Sequence, residues 1–213
     1  MFYMFPRAVP RKECKKLLKY CIKNTKFREA SVLGKGQFDS TDPDSEKMID
    51  DSSRIAPKVR KTDVGFITDA DNRVNEVAWH FLREANKIQF NYKLDYFQPV
   101  QFARYRFGGH YGWHQDSAGI NPSGEGRKLS LTFCLTDPRT YEGGNLEFYT
   151  GDRPMEDFEL PNGIKMPASQ IYQDIRDQGS VIVFDSRDYH RVTPVTRGTR
   201  YSVVCWTVGP NFV

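Results

Sequence analysis

Leu129-Ser130-Leu131-Thr132-Phe133-Cys134-Leu135 sets a large apolar side chain at every second position, with a small or polar one between. That period of two marks a half-buried β-strand. Working outward, Leu146–Tyr149, Ser180–Phe184, Arg191–Val195 and Tyr201–Val208 read as further strands, and Tyr92–Phe107 is aromatic and extended. Turn sequences separate them at Gly108-Gly109, Asn121–Gly126, Gly143-Gly144, Asp177–Gly179 and Arg197-Gly198. Many short strands at this spacing predict an α+β, mainly β chain: an antiparallel barrel or jelly roll with helices on one side.

The helices come first. From Pro10, Cys14, Leu17, Leu18, Cys21 and Ile22 recur at the three-four spacing of one helical face, with Pro10 suited to the first turn. Asp71 can cap a second helix carrying Val74, Val77, Ala78, Phe81, Leu82 and Ala85. Between them, residues 34–63 are rich in Gly, Asp, Ser and Pro, the composition of a loop longer than compact domains usually allow. Such a segment is either a functional lid or disordered. Residues 151–178, with Pro154, Pro161 and Pro167, read as an irregular excursion between strands. At 213 residues the chain is expected to form one domain, 1–213, with a helical support and lid loop at 1–91 and a core at 92–213.

Composition narrows the class. Hydrophobic residues are 38% and charged residues 27%, and no apolar run approaches the roughly 18 residues that cross a bilayer. Neither a membrane protein nor a disordered chain fits. The net charge of +4 is spread in both signs, and the basic clusters Arg11–Lys19 and Lys58–Lys61 read as solvated surface, so no nucleic-acid partner is indicated. The N-terminal MFYMFPRAVPRKE is apolar for too few residues to be a secretory leader, which leads to the expectation of a cytoplasmic protein. Cys14, Cys21, Cys134 and Cys205 form no CxxC pair, which disfavours a zinc site or disulfide framework. Cys14 and Cys21, seven apart on a helix face, suit small buried hydrophobes.

The chemistry concentrates in Tyr105–Asp116, YRFGGHYGWHQD. If this stretch is extended, His114 and Asp116 point to the same face. A third ligand must come from elsewhere among four histidines, of which His80 falls in the second helix and His190 follows the strand Ser180–Phe184. A jelly roll could bring His190 beside His114, and two imidazoles with one carboxylate form the facial triad of non-haem Fe(II) oxygenases. A lone His-x-Asp pair is more often structural than metal-binding. Further along, Arg200, Ser202, Val204 and Trp206 share one strand face, and the inward character of Val204 and Trp206 turns Arg200 into the barrel. A buried guanidinium needs a partner. Asp185 or Asp137 could supply it within the chain, or a bound dicarboxylate could, through two parallel hydrogen bonds.

Taken together these residues resemble an Fe(II)- and 2-oxoglutarate-dependent dioxygenase of the prolyl hydroxylase group. The resemblance is carried by Tyr105, Gly108-Gly109, Tyr111, His114 and Asp116; by Tyr141-Glu142-Gly143-Gly144-Asn145-Leu146-Glu147-Phe148; and by Gly179–Phe184, His190, Pro194-Val195 and Gly198–Ser202 through Trp206. It covers residues 92–208 and implies a double-stranded β-helix (cupin-like) core. It implies His114, Asp116 and His190 as iron ligands. For 2-oxoglutarate it implies Arg200 on the C5 carboxylate, with Tyr105, Ser202 and Thr132 in the same pocket. Arg127, Trp206 and Tyr111 fall on the substrate side, with simple strand packing as the alternative for Tyr105 and Tyr111. Arg rather than Lys at 200 leans towards the oxygen-sensing enzymes. Where those place a second tyrosine, this chain has Cys134 or Thr132, so fewer hydrogen-bonding helpers are expected around Arg200.

The implied reaction couples oxidative decarboxylation of 2-oxoglutarate to succinate and CO₂ with hydroxylation of a prolyl residue in a protein or peptide. It uses O₂, with L-ascorbate as reductant. Asp116 argues against halogenation. The alternatives are a hydroxylase of a free amino acid or small molecule, a metal-dependent isomerase of the cupin type, and a non-catalytic jelly-roll binding module. Residues 34–63 could close over an extended peptide.

Overall fold

The computed structural model describes residues 2–30, 59–68, 72–117, 124–149, 158–159, 165–166, 169–171 and 173–212. The chain opens with β1 (Phe2–Phe5), α1 (Arg11–Asn24), β2 (Arg28–Glu29), β3 (Arg60–Lys61), β4 (Asp63–Ile67) and α2 (Arg73–Ala85), the last running into a π-helical turn at Asn86–Phe90. The central part holds β5 (Tyr96–Phe97), β6 (Val100–Tyr105), β7 (His110–His114), β8 (Glu125–Cys134), β9 (Glu142–Gly143) and β10 (Leu146–Tyr149). After these come β11 (Phe158–Glu159), β12 (Lys165–Met166), β13 (Ser169–Ile171), β14 (Val181–Asp185), β15 (His190–Val192), β16 (Val195–Arg197) and β17 (Arg200–Pro210).

The major sheet has the order β1-β14-β8-β17-β6-β4-β2, with β5 also on β17; the minor sheet runs β13-β10-β15-β7-β3. Neighbours pair antiparallel with long-range crossovers, the two-sheet arrangement of a jelly roll.

Strand alternation then assigns every side chain to one of two layers. Leu129, Leu131 and Phe133 of β8 point outward with Val181, Val183, Val203, Cys205, Val100 and Phe102, and meet Cys14, Leu17 and Cys21 of α1 and Val74, Ala78, Leu82 and Ala85 of α2. Each such large apolar side chain contributes about 1.5–3 kcal/mol by leaving water. The opposite face of the same strands supplies Ala103, Tyr105, Ile182 and Phe184, which close against Leu146, Phe148, Val192 and Val195. Ser130, Thr132, Arg200 and Ser202 are buried on that inner face among them. The sheet register aligns the set, pairing Trp206 with Ser130, Val204 with Thr132, Ser202 with Cys134, and Arg200 with Tyr105.

Some boundaries depart from the sequence reading. The cap of α2 is Asn72, whose side chain accepts from the backbone of Val74 and Asn75 at 2.9 Å each, because it is the extended residue directly before the first helical one; Asp71 lies outside the described residues. Ile22 is 48% exposed, one residue past the stripe that Cys14, Leu17 and Cys21 complete. The segment expected as loop at 34–63 ends in sheet, with β3 pairing β7 and β4 pairing β6, while its residues 34–58 lie outside the described residues. Strands from before residue 92 therefore extend both sheets, where only helices and a lid were expected. Arg191–Val195 is two strands split at Thr193-Pro194, since proline cannot donate to the ladder. Within 151–178, β13 adds to β10 and Gln173–Arg176 forms a 3₁₀ turn. Cys14 and Cys21 are buried, as expected; Cys134 and Cys205 are buried too and all four are unbridged, and no helix among the described residues is long and apolar enough to cross a membrane.

Candidate metal centre

Antiparallel pairing of β15 with β7 sets His190 directly opposite His114, and Asp116 follows two residues after β7 ends. Nε2 of His114 lies 3.5 Å from Oδ1 of Asp116, and Nε2 of His190 lies 3.6 Å from Oδ2. One ligand atom from each residue falls within 4.8 Å of the others, and no other group of three such residues gathers among the described residues. Two ligands about 2.0–2.2 Å from one ion and at right angles are about 3 Å apart, so small side-chain adjustments close these three on a single ion. His80 is elsewhere, edge-on to Phe81 in α2.

Each imidazole is aimed by its second nitrogen. Nδ1 of His114 is 2.8 Å from the carbonyl of Gly112, and Nδ1 of His190 is 2.9 Å from that of Asp188. A carbonyl only accepts, so both Nδ1 atoms carry the proton and both Nε2 lone pairs face the shared point. Burial, reinforced by the neighbouring His114, pushes His190 down to about 4, which keeps its ring neutral and able to ligate. Burial pushes Asp116 up, but the surrounding His190, His114 and Arg127 outweigh it and hold the carboxyl well below the usual range. Two neutral nitrogens and one carboxylate oxygen on one side, leaving open positions, is a donor set suited to Fe(II).

The second half of the site is Arg200. Its side chain is 4% exposed, donates from Nη1 to Ser202 Oγ at 3.0 Å, and lies over the Tyr105 ring at 5.3 Å. Both carboxylates named as alternative partners are engaged elsewhere: Asp185 by Arg187 at 2.7 Å and Tyr92 at 2.6 Å, Asp137 by Arg139 at 2.5 Å. Among the described residues no carboxylate pairs with Arg200. Its polar neighbours are Cys134, Tyr141 and Tyr105.

Tyr141 corrects the expectation of a poorly supported guanidinium. It is buried, its ring packs beside the Arg200 side chain, and its hydroxyl meets Cys134 Sγ at 3.5 Å. A phenol is thus present, delivered from a different strand-to-strand loop. That loop is shaped by Gly144, at φ +59, where a Cβ would sit 2.9 Å from Arg200 Cδ. Arg176 braces it from the other side, donating to Gly143 O and Asn145 Oδ1 and stacking on Tyr141 at 4.9 Å.

The remaining expected residues lie around this axis. Thr132 is buried on the inner face between Ser130 and Cys134. Tyr111 stacks on His114 with centroids 3.5 Å apart, and Arg60 covers its other face at 4.3 Å. Arg127 lies 3.7 Å over the Trp206 ring and donates to Gln98 Oε1 at 2.9 Å and to the carbonyl of Asp116 at 3.5 Å; burial lowers it to about 10. The sequence reading missed Tyr141, Arg60, Ser130 and Ser186 as members of the site. The signal for Ser130 was its small polar side chain on the inward face of an otherwise apolar strand.

A jelly roll presenting a His-Asp-His face beside a buried guanidinium defines a mononuclear non-haem metal oxygenase site. The family model for the 2OG-Fe(II) oxygenase superfamily matches residues 100–208, more than half of the chain, and the chain belongs to that family. Fe(II), 2-oxoglutarate and O₂ are what membership implies. Curated relatives include a PKHD-type hydroxylase of Nitrobacter winogradskyi, 34% identical over 113 residues, covering 51% of this chain and 42% of the relative. Another, from a Synechococcus species, is 39% identical over 98 residues, covering 45% and 35%. The chain spans less than half the length of these relatives. Among solved structures, a Pseudomonas putida prolyl-4-hydroxylase superposes with a TM-score of 0.61 at 18% identity, covering 97% of this chain and 91% of that one. A Trichoplax adhaerens prolyl hydroxylase, solved with a hypoxia inducible factor peptide fragment, gives 0.63 at 16%, covering 97% and 82%. These likenesses establish the shared fold.

Proposed function

We propose that residues 1–213 act as one dioxygenase domain that hydroxylates prolyl residues in a protein or peptide, using Fe(II), 2-oxoglutarate and O₂, with L-ascorbate as reductant. The observation that carries this reading is a buried guanidinium without a carboxylate partner among the described residues, facing the same interior as a metal-ready His-Asp-His set. His114, Asp116 and His190 hold the iron, which supplies the oxidising chemistry when bound with 2-oxoglutarate and O₂. Arg200 receives the C5 carboxylate on its planar fork, with one N–H already fixed on Ser202 and so held in orientation. Tyr105, Ser202 and Thr132 line the path between that fork and the metal ligands. Arg127, Trp206 and Tyr111 form the wall on the substrate side, where the Arg127–Trp206 stack holds a flat, rigid surface. The protein acts in the cytoplasm. The hydroxylase names of its relatives and the prolyl hydroxylases among its structural neighbours support this choice of substrate.

The test is in two stages. Anaerobic Fe(II) protein given 2-oxoglutarate should develop a weak visible charge-transfer band. Proline-containing peptides incubated aerobically should gain 16 Da by mass spectrometry with stoichiometric succinate. A band with turnover only on free amino acids overturns the peptide assignment. No band at all overturns the dioxygenase assignment.

A further inference from the structure

Behind the metal ligands lies a short chain of hydroxyls. Ser130 Oγ is 2.7 Å from Oδ2 of Asp116 and 2.9 Å from Ser186 Oγ, and both serines are fully buried. Each hydroxyl has one proton. The ionised carboxylate only accepts, so Ser130 must donate to Asp116, and the proton between the two serines must then be that of Ser186. The order is therefore Ser186 to Ser130 to Asp116. Ser186 also accepts, at its carbonyl, the backbone N–H groups of Asp116 and Ser117 at 2.9 Å each. The carboxylate and its own backbone are thereby tied to the same turn between β14 and β15, and to β8, whose residue Arg127 reaches the Asp116 carbonyl.

We propose that Ser130 and Ser186 are positioning residues that engage Oδ2 of Asp116 and leave Oδ1 as the single oxygen offered to the metal. This rests on the dioxygenase reading above. A carboxylate that binds through both oxygens takes four of six octahedral positions together with two histidines, leaving too few for a two-point cosubstrate and O₂. One that binds through Oδ1 alone leaves three. Ser130 thus acts on how many positions stay open, and Ser186 acts only by orienting Ser130.

Co(II) provides the probe, since its visible spectrum reports coordination number without turnover. Equilibrium titration and absorption spectra are recorded for the wild type, Ser130→Ala, Ser130→Thr, Ser186→Ala and the double Ser130→Ala/Ser186→Ala variant. Ser130→Ala should weaken Co(II) binding about 10–100-fold, as loss of outer-shell partners does, and shift the spectrum. Ser130→Thr, which keeps the hydroxyl, should restore both. Ser186→Ala should produce a smaller change in the same direction, and the double variant should match Ser130→Ala alone, because Ser186 works only through Ser130. A Ser186→Ala effect as large as that of Ser130→Ala, or effects that multiply in the double variant, overturns the order of the chain. Wild-type affinity and spectrum in Ser130→Ala overturn the proposal while the metal site stands. A wild type that takes up no Co(II) overturns the site reading and the proposal with it.

Discussion

Replacing Arg200 by Met is expected to make the cosubstrate-free protein more stable while abolishing its response to 2-oxoglutarate. The guanidinium is buried, its side-chain hydrogen bond runs to Ser202, and both carboxylates named as alternative partners are committed to Arg187 and Arg139. Taking such an ion out of water costs several kcal/mol. The bond to Ser202 and the contact with Tyr141 return about 1.5–3 kcal/mol. Met nearly matches the side-chain length and removes the charge, so a net gain of about 1–3 kcal/mol is expected. For a chain of this size each kcal/mol moves the midpoint by about 2–4 °C, giving a rise of about 2–12 °C. Differential scanning calorimetry under anaerobic Fe(II) measures it, with and without 2-oxoglutarate. The wild type should gain about 2.7 kcal/mol at a hundredfold excess over its dissociation constant, and Arg200→Met should gain nothing. A variant less stable than the wild type without cosubstrate would show that the chain itself satisfies the guanidinium, and the reasoning would fail.

Three further outcomes follow from the same geometry. Asp116→Ala removes one of three converging ligands and should abolish stoichiometric Fe(II) uptake in equilibrium dialysis with the circular dichroism spectrum retained; undiminished uptake would refute the ligand set. Gly144→Ala forces a Cβ to within 2.9 Å of Arg200 Cδ at φ +59, so a loss of about 1–2 kcal/mol in urea unfolding should accompany weaker 2-oxoglutarate binding. His190 titrates at about 4 in the folded protein against 6.5 unfolded. Its folded value is depressed, so the unfolded chain binds the extra proton between these limits and stability falls as pH drops from about 6.5 to about 4. Metal-free wild type should lose about 3 kcal/mol over that window relative to His190→Gln, and parallel pH profiles would contradict it.

Much of this architecture is legible because it is local. The alternation at residues 129–135 separates Leu129, Leu131 and Phe133 from Ser130, Thr132 and Cys134 as two faces of one strand; the structure turns the first set to the helices and the second to the interior. The same rule turns Arg200 inward with Ser202 and Trp206. The start of α2 was misread by one residue because Asp71 and Asn72 have the same capping chemistry, and only the backbone conformation chooses between them. Tyr141 stood inside a quoted motif, yet its role was hidden. Its ring reaches Arg200 only after a glycine turn folds the loop back across the sheet.

The sequence by itself determined the ligand types, the inward guanidinium and the two-layer β architecture, because side-chain direction along a strand follows from backbone geometry alone. Tertiary structure decided which groups meet. The pairing of His190 with His114, the seating of Tyr141 against Arg200, and the order of hydroxyls behind Asp116 all depend on strand crossovers and register. Those are set by the burial of the whole core, which no short window of residues contains.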